Sequence, residues 1–248
     1  ALDAADSGDT IQVKAGIYYE HLVINKAVSL IGENKETTII DGNRTGDIVQ
    51  VQVLEGNVTI TGFTVRNSGP YWPDDGIIIN WGDNCNISLN NIVNNTYGIE
   101  IWSSGNSIIG NNISANSGDG IRLSNSNNNR IFGNNFEAND WNGIRLDSMC
   151  SNNKISRNNI KANKQNGLYL YYSSNNNISH NNFLGNVGQQ AITIQSSNSL
   201  WDDGYPSGGN YWSDHFLIDY NGGPGQNETG SDGISDEPYP IDLNNYDH

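Results

Sequence analysis

The chain is short of the residues that hold disulfide-rich, membrane-spanning or nucleic-acid-binding proteins together. Its 248 residues include two cysteines, one methionine and six prolines, and only 16% are charged. Two cysteines permit one disulfide at most, so a disulfide framework is excluded. No apolar run is long enough to cross a bilayer as a helix. Basic residues are scarce: 12 Lys and Arg stand against 27 Asp and Glu, a formal net charge of −15. That balance argues against nucleic acid and anionic membrane surfaces as partners. The stretch from Ser199 to His248 has no lysine or arginine at all. The chain opens on Ala1 and not on methionine, and it reads as a processed or excised piece of a longer product.

What the chain has in abundance is one short phrase, repeated from Gly76 to Ile194. Each copy opens on glycine, or finally alanine, followed by apolar–any–apolar. The openings are Gly76-Ile77-Ile78-Ile79, Gly98-Ile99-Glu100-Ile101, Gly120-Ile121-Arg122-Leu123, Gly143-Ile144-Arg145-Leu146, Gly167-Leu168-Tyr169-Leu170 and Ala191-Ile192-Thr193-Ile194. They recur roughly every 22 to 24 residues, a period typical of stacked repeats. Two further apolar ladders keep step: Ile87, Ile108, Ile131, Ile155, Ile178 and Ile92, Ile113, Phe136, Ile160, Phe183. Asparagine ladders accompany them, headed by Asn90, Asn91 and Asn95.

Apolar residues that alternate over so few positions have strand spacing, not helix spacing. Strands this short cannot bury a face alone, so the core must come from stacking copy on copy. The expected fold is an all-β parallel β-helix of about eight coils, its coils about 4.8 Å apart. At that spacing asparagine side chains can bond amide to amide along a column. Asparagine also tolerates the left-handed backbone that corners between strands require. The solenoid is expected over residues 1–198, with regular repeats at 76–198, followed by an irregular cap at 199–248. Ala1 to Asp6 reads as a short helical lid on the first coil, and Asn67 to Asp75 as the longest loop. Cys85 and Cys150 lie three coils apart, roughly 14 Å, which is beyond disulfide reach, so both are expected as free thiols.

The Asn-Asn-Ile rhythm followed by Gly-Ile resembles the right-handed parallel β-helix repeats of NosD-like proteins, within the carbohydrate-binding and sugar-hydrolase β-helix group. The opening Gly8-Asp9-Thr10-Ile11-Gln12-Val13 looks like that family's first coil. The tail's Gly208-Gly209-Asn210-Tyr211-Trp212-Ser213-Asp214 and Asp232-Gly233-Ile234-Ser235-Asp236 resemble the ending of archaeal surface members. The resemblance implies a right-handed winding. It does not fix an activity, since one β-helix serves lyases, hydrolases, epimerases, surface proteins and a copper-insertion factor.

Between the inward residues of each opening strand lies an outward one. Two such ladders place Glu100, Arg122, Arg145 and Asp147 beside Trp102, Tyr169 and Tyr171 on one exposed face. Aromatic faces stack on sugar rings, and arginine forks grip carboxylates. The same residues equally describe cross-strand ion pairs and aromatic ladders that only stabilise the sheet. The loop around Trp72 and Asp75 is the next place to look. The paired aspartates on adjacent coils, with His-Gly and Arg-x-Lys, that mark polygalacturonase-like enzymes are missing. Asp74-Asp75 is placed in a loop and Asp202-Asp203 in the tail. His21, His180, His215 and His248 are isolated in sequence, and Met149 beside Cys150 is a poor copper site.

In the tail, Glu228, Asp232 and Asp236 recur every four residues, and Gly233 follows the central aspartate. Ten acidic side chains with no basic one would repel in a compact cap unless a cation offset them, and a hard, oxygen-loving ion such as calcium is expected. Asn43, Asn57 and Asn227 head the sequons placed near loops, the expected glycosylation sites of an exported protein. Asn112 heads another, in a ladder expected to be inaccessible. The reading is an extracellular, cell-surface module, structural or adhesive, with polysaccharide as its partner. The alternatives are a lyase, hydrolase or epimerase acting on an acidic glycan, and a self-assembling envelope or filament subunit.

Overall fold

The computed structural model describes residues 1–242 and 245–247, so His248 lies outside the described residues. The chain winds as a parallel β-solenoid that lays one short strand on each of three sheets per turn. The first sheet holds eight strands, from Thr10–Val13 to Asn177–Ser179. The second holds nine, from Gly16–Tyr18 to Tyr211–Trp212, and the third eight, from Leu22–Ile24 to Ala191–Ile194. No helix among the described residues is long and apolar enough to cross a membrane.

Register follows the ladders seen in the sequence. Ile87, Ile108, Ile131, Ile155 and Ile178 stack in the first sheet. In the second sheet the order is Ile92, Ile113, Phe136, Ile160, Phe183 and then Trp212. These residues are buried from solvent and form one continuous core. The opening glycines are required by close approach: a Cβ on Gly98 would lie 2.3 Å from the carbonyl oxygen of Gly120. One expected register fails. Leu168 pairs with Ala191, and Tyr169 with Ile192. Gln190, and not Ala191, therefore holds the opening position opposite Gly167, and the last copy is displaced by one residue.

Asparagine columns turn the corners. Asn90, Asn111, Asn134, Asn158 and Asn181 are buried, and each amide nitrogen donates to the next amide oxygen at 2.9–3.2 Å, ending on Asn210. The column through Asn116, Asn139, Asn163 and Asn186 does the same and ends on Gln190. A third column, Asn106, Asn129, Asn153 and Asn176, receives the Cys85 N–H at its top. The left-handed backbone falls on the residue before each laddered asparagine: asparagine itself, as expected, at Asn94, Asn128, Asn152 and Asn175, but Ala115, Ala138 and Ala162 in one column and Arg157 and His180 in another. The laddered asparagine thus serves for its amide and not for its backbone. The ladder headed by Asn91 faces outward, and Asn112 is half-buried, so that sequon is not inaccessible as expected.

Both ends of the stack are covered. At the start, a 3-10 turn at Leu2–Ala4 lies on the first coil, and the Lys26 ammonium donates to the Ala5 carbonyl at 2.6 Å. At the far end Trp212 stacks between Phe183 and Tyr239, with ring centroids 4.4 and 4.1 Å apart. Asp247 accepts from the Trp212 indole and from Asn210, so the cap continues the solenoid's own core and ladder. Cys85 and Cys150 are free and buried.

Candidate functional site

The strand Asp75–Trp81 is the longest in the solenoid, seven residues against two to five elsewhere. It crosses the third sheet from the loop at residues 67–74 to the corner at Gly82. Asp75 opens it, so this aspartate belongs to a strand and not to the loop, as the sequence suggested. Asp75 pairs with Tyr97 on the next coil. The residues preceding the opening glycines form a column, Asp75, Tyr97, Asp119, Asn142 and Asn166, of which all but the last are buried. Asn142 donates to Asp119 at 2.7 Å, and Asn166 to Asn142 at 2.9 Å.

Beside this column runs the ladder singled out in the sequence. Glu100 pairs with Arg122, Arg122 with Arg145, and Arg145 with Tyr169. The arginines are committed within the face: Arg122 lies 3.4 Å from Glu100 and 2.9 Å from Asp147, and Arg145 lies 3.0 Å from the same Asp147 oxygen. The Arg145 guanidinium sits over the Tyr169 ring at 5.2 Å, and Tyr169 stacks on Tyr171. The cross-strand ion pair that the sequence suggested between Glu100 and Arg122 is present. The face is also less open than the sequence suggested. Glu100 and Asp147 are buried, and Arg122, on the coil between them, pairs with both.

The buried carboxylates set the electrostatics. Asp75 has no exposed area, and neither carboxyl oxygen has a hydrogen-bond partner. Burial, then the charges of Glu100 and Asp47, push its pKa well above the usual carboxylate range. Burial likewise raises Glu100 against the pull of Arg122, and Asp119 against its Asn142 donors. The Tyr97 hydroxyl is pushed up to about 12 by burial and by Asp119. Burial works against the charge on Arg122, but Asp147 and Glu100 outweigh it and hold that group above its ordinary value.

Solvent meets tryptophan here instead. Trp72, Trp81, Trp102 and Trp141 are exposed, four of the six in the chain, while Trp201 and Trp212 are in the core. Trp141 stands edge-on to Tyr97 at 5.7 Å. Trp81 and Trp102 lie at the other end of the same strands, roughly 20 Å away at the strand rise. Of this set the sequence reading named Trp102, Trp72 and Asp75, and it passed over Asp47, Trp81, Tyr97, Asp119 and Trp141. The signal was present: Asp75, Tyr97 and Asp119 occupy one repeat position, immediately before glycine.

In the tail, Glu228 opens the two-residue strand Glu228–Thr229, while Asp232 and Asp236 lie outside strands. Asp232 accepts from the Gly223 N–H, near which Glu228 also lies, and Asp236 accepts from the backbone N–H groups of Tyr220 and Asn221. Among the described residues no three His, Cys, Asp or Glu stand close enough to hold a metal ion. Asn43, Asn57 and Asn227 are exposed.

The solved structures similar to this chain share its winding at low identity. One is full-length tailspike protein 2 of Escherichia coli O157:H7 bacteriophage CAB120, at a TM-score of 0.65 and 15% identity, covering 76% of this chain and 30% of that one. Another is the Agl-KA catalytic domain, at 0.60 and 16%, covering 78% and 40%. A third is the catalytic domain of a GH87 alpha-1,3-glucanase in complex with tetrasaccharides, at 0.57 and 16%, covering 84% and 44%. The chain thus spans less than half the length of each. A comparison with curated proteins yields no match. The family described as "Right handed beta helix region" matches residues 50–202, more than half of the chain. The chain belongs to this right-handed β-helix family.

Proposed function

We propose that the chain is a glycan-contacting β-helix module, working outside the cell to dock or hold polysaccharide along the outward face of its third sheet. The observation that carries this reading is the placement of tryptophan. Four indoles are exposed around one sheet face whose charged side chains are already matched to one another. Large aromatic surface left in water on a rigid scaffold is the usual mark of a binding site. Exposed sequons and the scarcity of lysine and arginine support an extracellular setting. The glucanase domain holding tetrasaccharides supports the idea that this winding can seat a glycan. Binding is favoured over cleavage because Asp75 and Asp119 have no exposed area and Glu100 almost none. A general acid must reach the bridging oxygen it protonates.

Affinity electrophoresis tests the reading. Gels cast with soluble polysaccharides should retard the protein in at least one case. The variant with Trp72, Trp81, Trp102 and Trp141 all changed to alanine should run unretarded while keeping its melting temperature. Free migration of the parent protein in every gel, or equal retardation of a folded variant, would contradict it.

A further inference from the structure

One feature of the third sheet serves neither the core nor the ion lattice. Opposite the strand Val49–Gln52, the register of Asp75–Trp81 slips: Val51 pairs with Ile79, but Gln52 pairs with Trp81. The shift puts one extra residue into the strand, an irregularity of the β-bulge kind, which bends a strand and re-aims its side chains. Here it turns Trp81 outward to 61% exposure, next to Trp102 on the following coil at 45%. Among the described residues neither indole stacks on another aromatic ring. Together with Gln52 and Asn80 they line an open cavity of about 460 Å³. That volume falls within the roughly 300–1,000 Å³ of small-molecule sites.

We infer that this cavity is a subsite for a neutral hexose unit of a polysaccharide, a step that rests on the glycan-contacting reading above and names its substrate class. Its lining is two indole faces and two carboxamides, with no charged side chain. An indole buries the axial C–H face of a pyranose, and a carboxamide both donates to and accepts from a hydroxyl. Gln52 is already oriented, its amide donating to Gln50 at 2.9 Å.

A uronate has no such welcome. Carboxylate recognition calls for a free guanidinium fork. Arg122 and Arg145 are held by Glu100 and Asp147. The chain's net charge of −15 also repels polyanions. The inference departs from the alternative of an acidic glycan that Arg122 and Arg145 kept open in the sequence.

Calorimetric titration of the whole chain decides it, with neutral glucose hexasaccharides of several linkages and with hexagalacturonate as probes. The expected result is binding of at least one neutral hexasaccharide and at least tenfold weaker binding of hexagalacturonate. Trp81→Ala and Trp102→Ala should each lower affinity at least tenfold, and Trp81→Phe, which keeps a ring, should retain most of it. Both sites are exposed, so an unchanged melting temperature is the check on folding. Hexagalacturonate binding as tightly as the neutral sugars, or neutral binding unaffected by Trp81→Ala, overturns the inference and leaves the broader reading standing. If no hexasaccharide binds while polysaccharide gels still retard the protein, the subsite again falls. If the gels fail as well, the parent reading falls with it.

Discussion

Asparagine shows most clearly how one residue type does separate jobs in this chain. Asn134 is buried, accepts from the Asn111 backbone and side chain, and donates to Asn158 and to the Ile108 carbonyl. Asn135, its neighbour, faces outward on the second sheet and bonds Asn112 and Glu137 where water can replace either. Removing a buried amide leaves several partners unsatisfied, each costing about 1–3 kcal/mol, whereas a surface loss usually stays within about 0.5 kcal/mol. Asn134→Ala should therefore destabilise by about 3 kcal/mol or more and Asn135→Ala by little, as read from urea denaturation midpoints. Equal effects would mean that the columns do not carry the corners. The ladders themselves were legible, because coils of constant length keep a side chain in register. Which asparagines face inward was less so, since adjacent Asn-Asn pairs look alike until the corner between them is placed. The left-handed sites were legible where asparagine takes them, as at Asn94, Asn128, Asn152 and Asn175, and hidden elsewhere. In the column of Ala115, Ala138 and Ala162, packing imposes that backbone on a residue with no local preference for it.

At the scale of the element, the strand Asp75–Trp81 concentrates what the repeat pattern could not reveal. A loop with two prolines precedes it, and no residue pattern marks the end of that loop at Asp74. Its bulge was invisible for a similar reason: Ile77, Ile78 and Ile79 are all apolar, so alternation gives no register there. Asp47, Asp75, Glu100 and Asp119 have raised pKa values, burial being the leading cause in each. A carboxyl raised in the folded state keeps a proton that the unfolded chain releases. Its stabilising contribution is complete below the unfolded value of about 3.9 and is lost as pH rises through the folded value. These four groups should thus make the protein more stable at pH 4–5 than at pH 7. Asp75→Asn removes the least satisfied member. It should raise the melting temperature at pH 7 by about 3 °C, the shift that roughly 1 kcal/mol gives in a chain of this size, and leave it nearly unchanged at pH 4. A melting temperature lowered at pH 7 would show that Asp75 is charged and held by partners.

The whole molecule is a stack in which each coil leans on its neighbours, so one side can be specialised without disturbing the others. The first and second sheets repeat Ile and Asn column by column. The third departs from repetition on its outward side, where Glu, Arg, Asp, Tyr and Trp succeed one another over adjacent coils. Departures from a repeat that leave the core intact are where a solenoid carries function, and the account rests on this asymmetry. Hydrogen–deuterium exchange with and without a polysaccharide that retards the protein tests it most directly. The account predicts slowed exchange in the loop at residues 67–74, along Asp75–Trp81, and at the corners after Ile101 and before Gly143, with the first and second sheets unchanged. Protection confined to those two sheets or to the cap at 199–247, with none on the third, would contradict it.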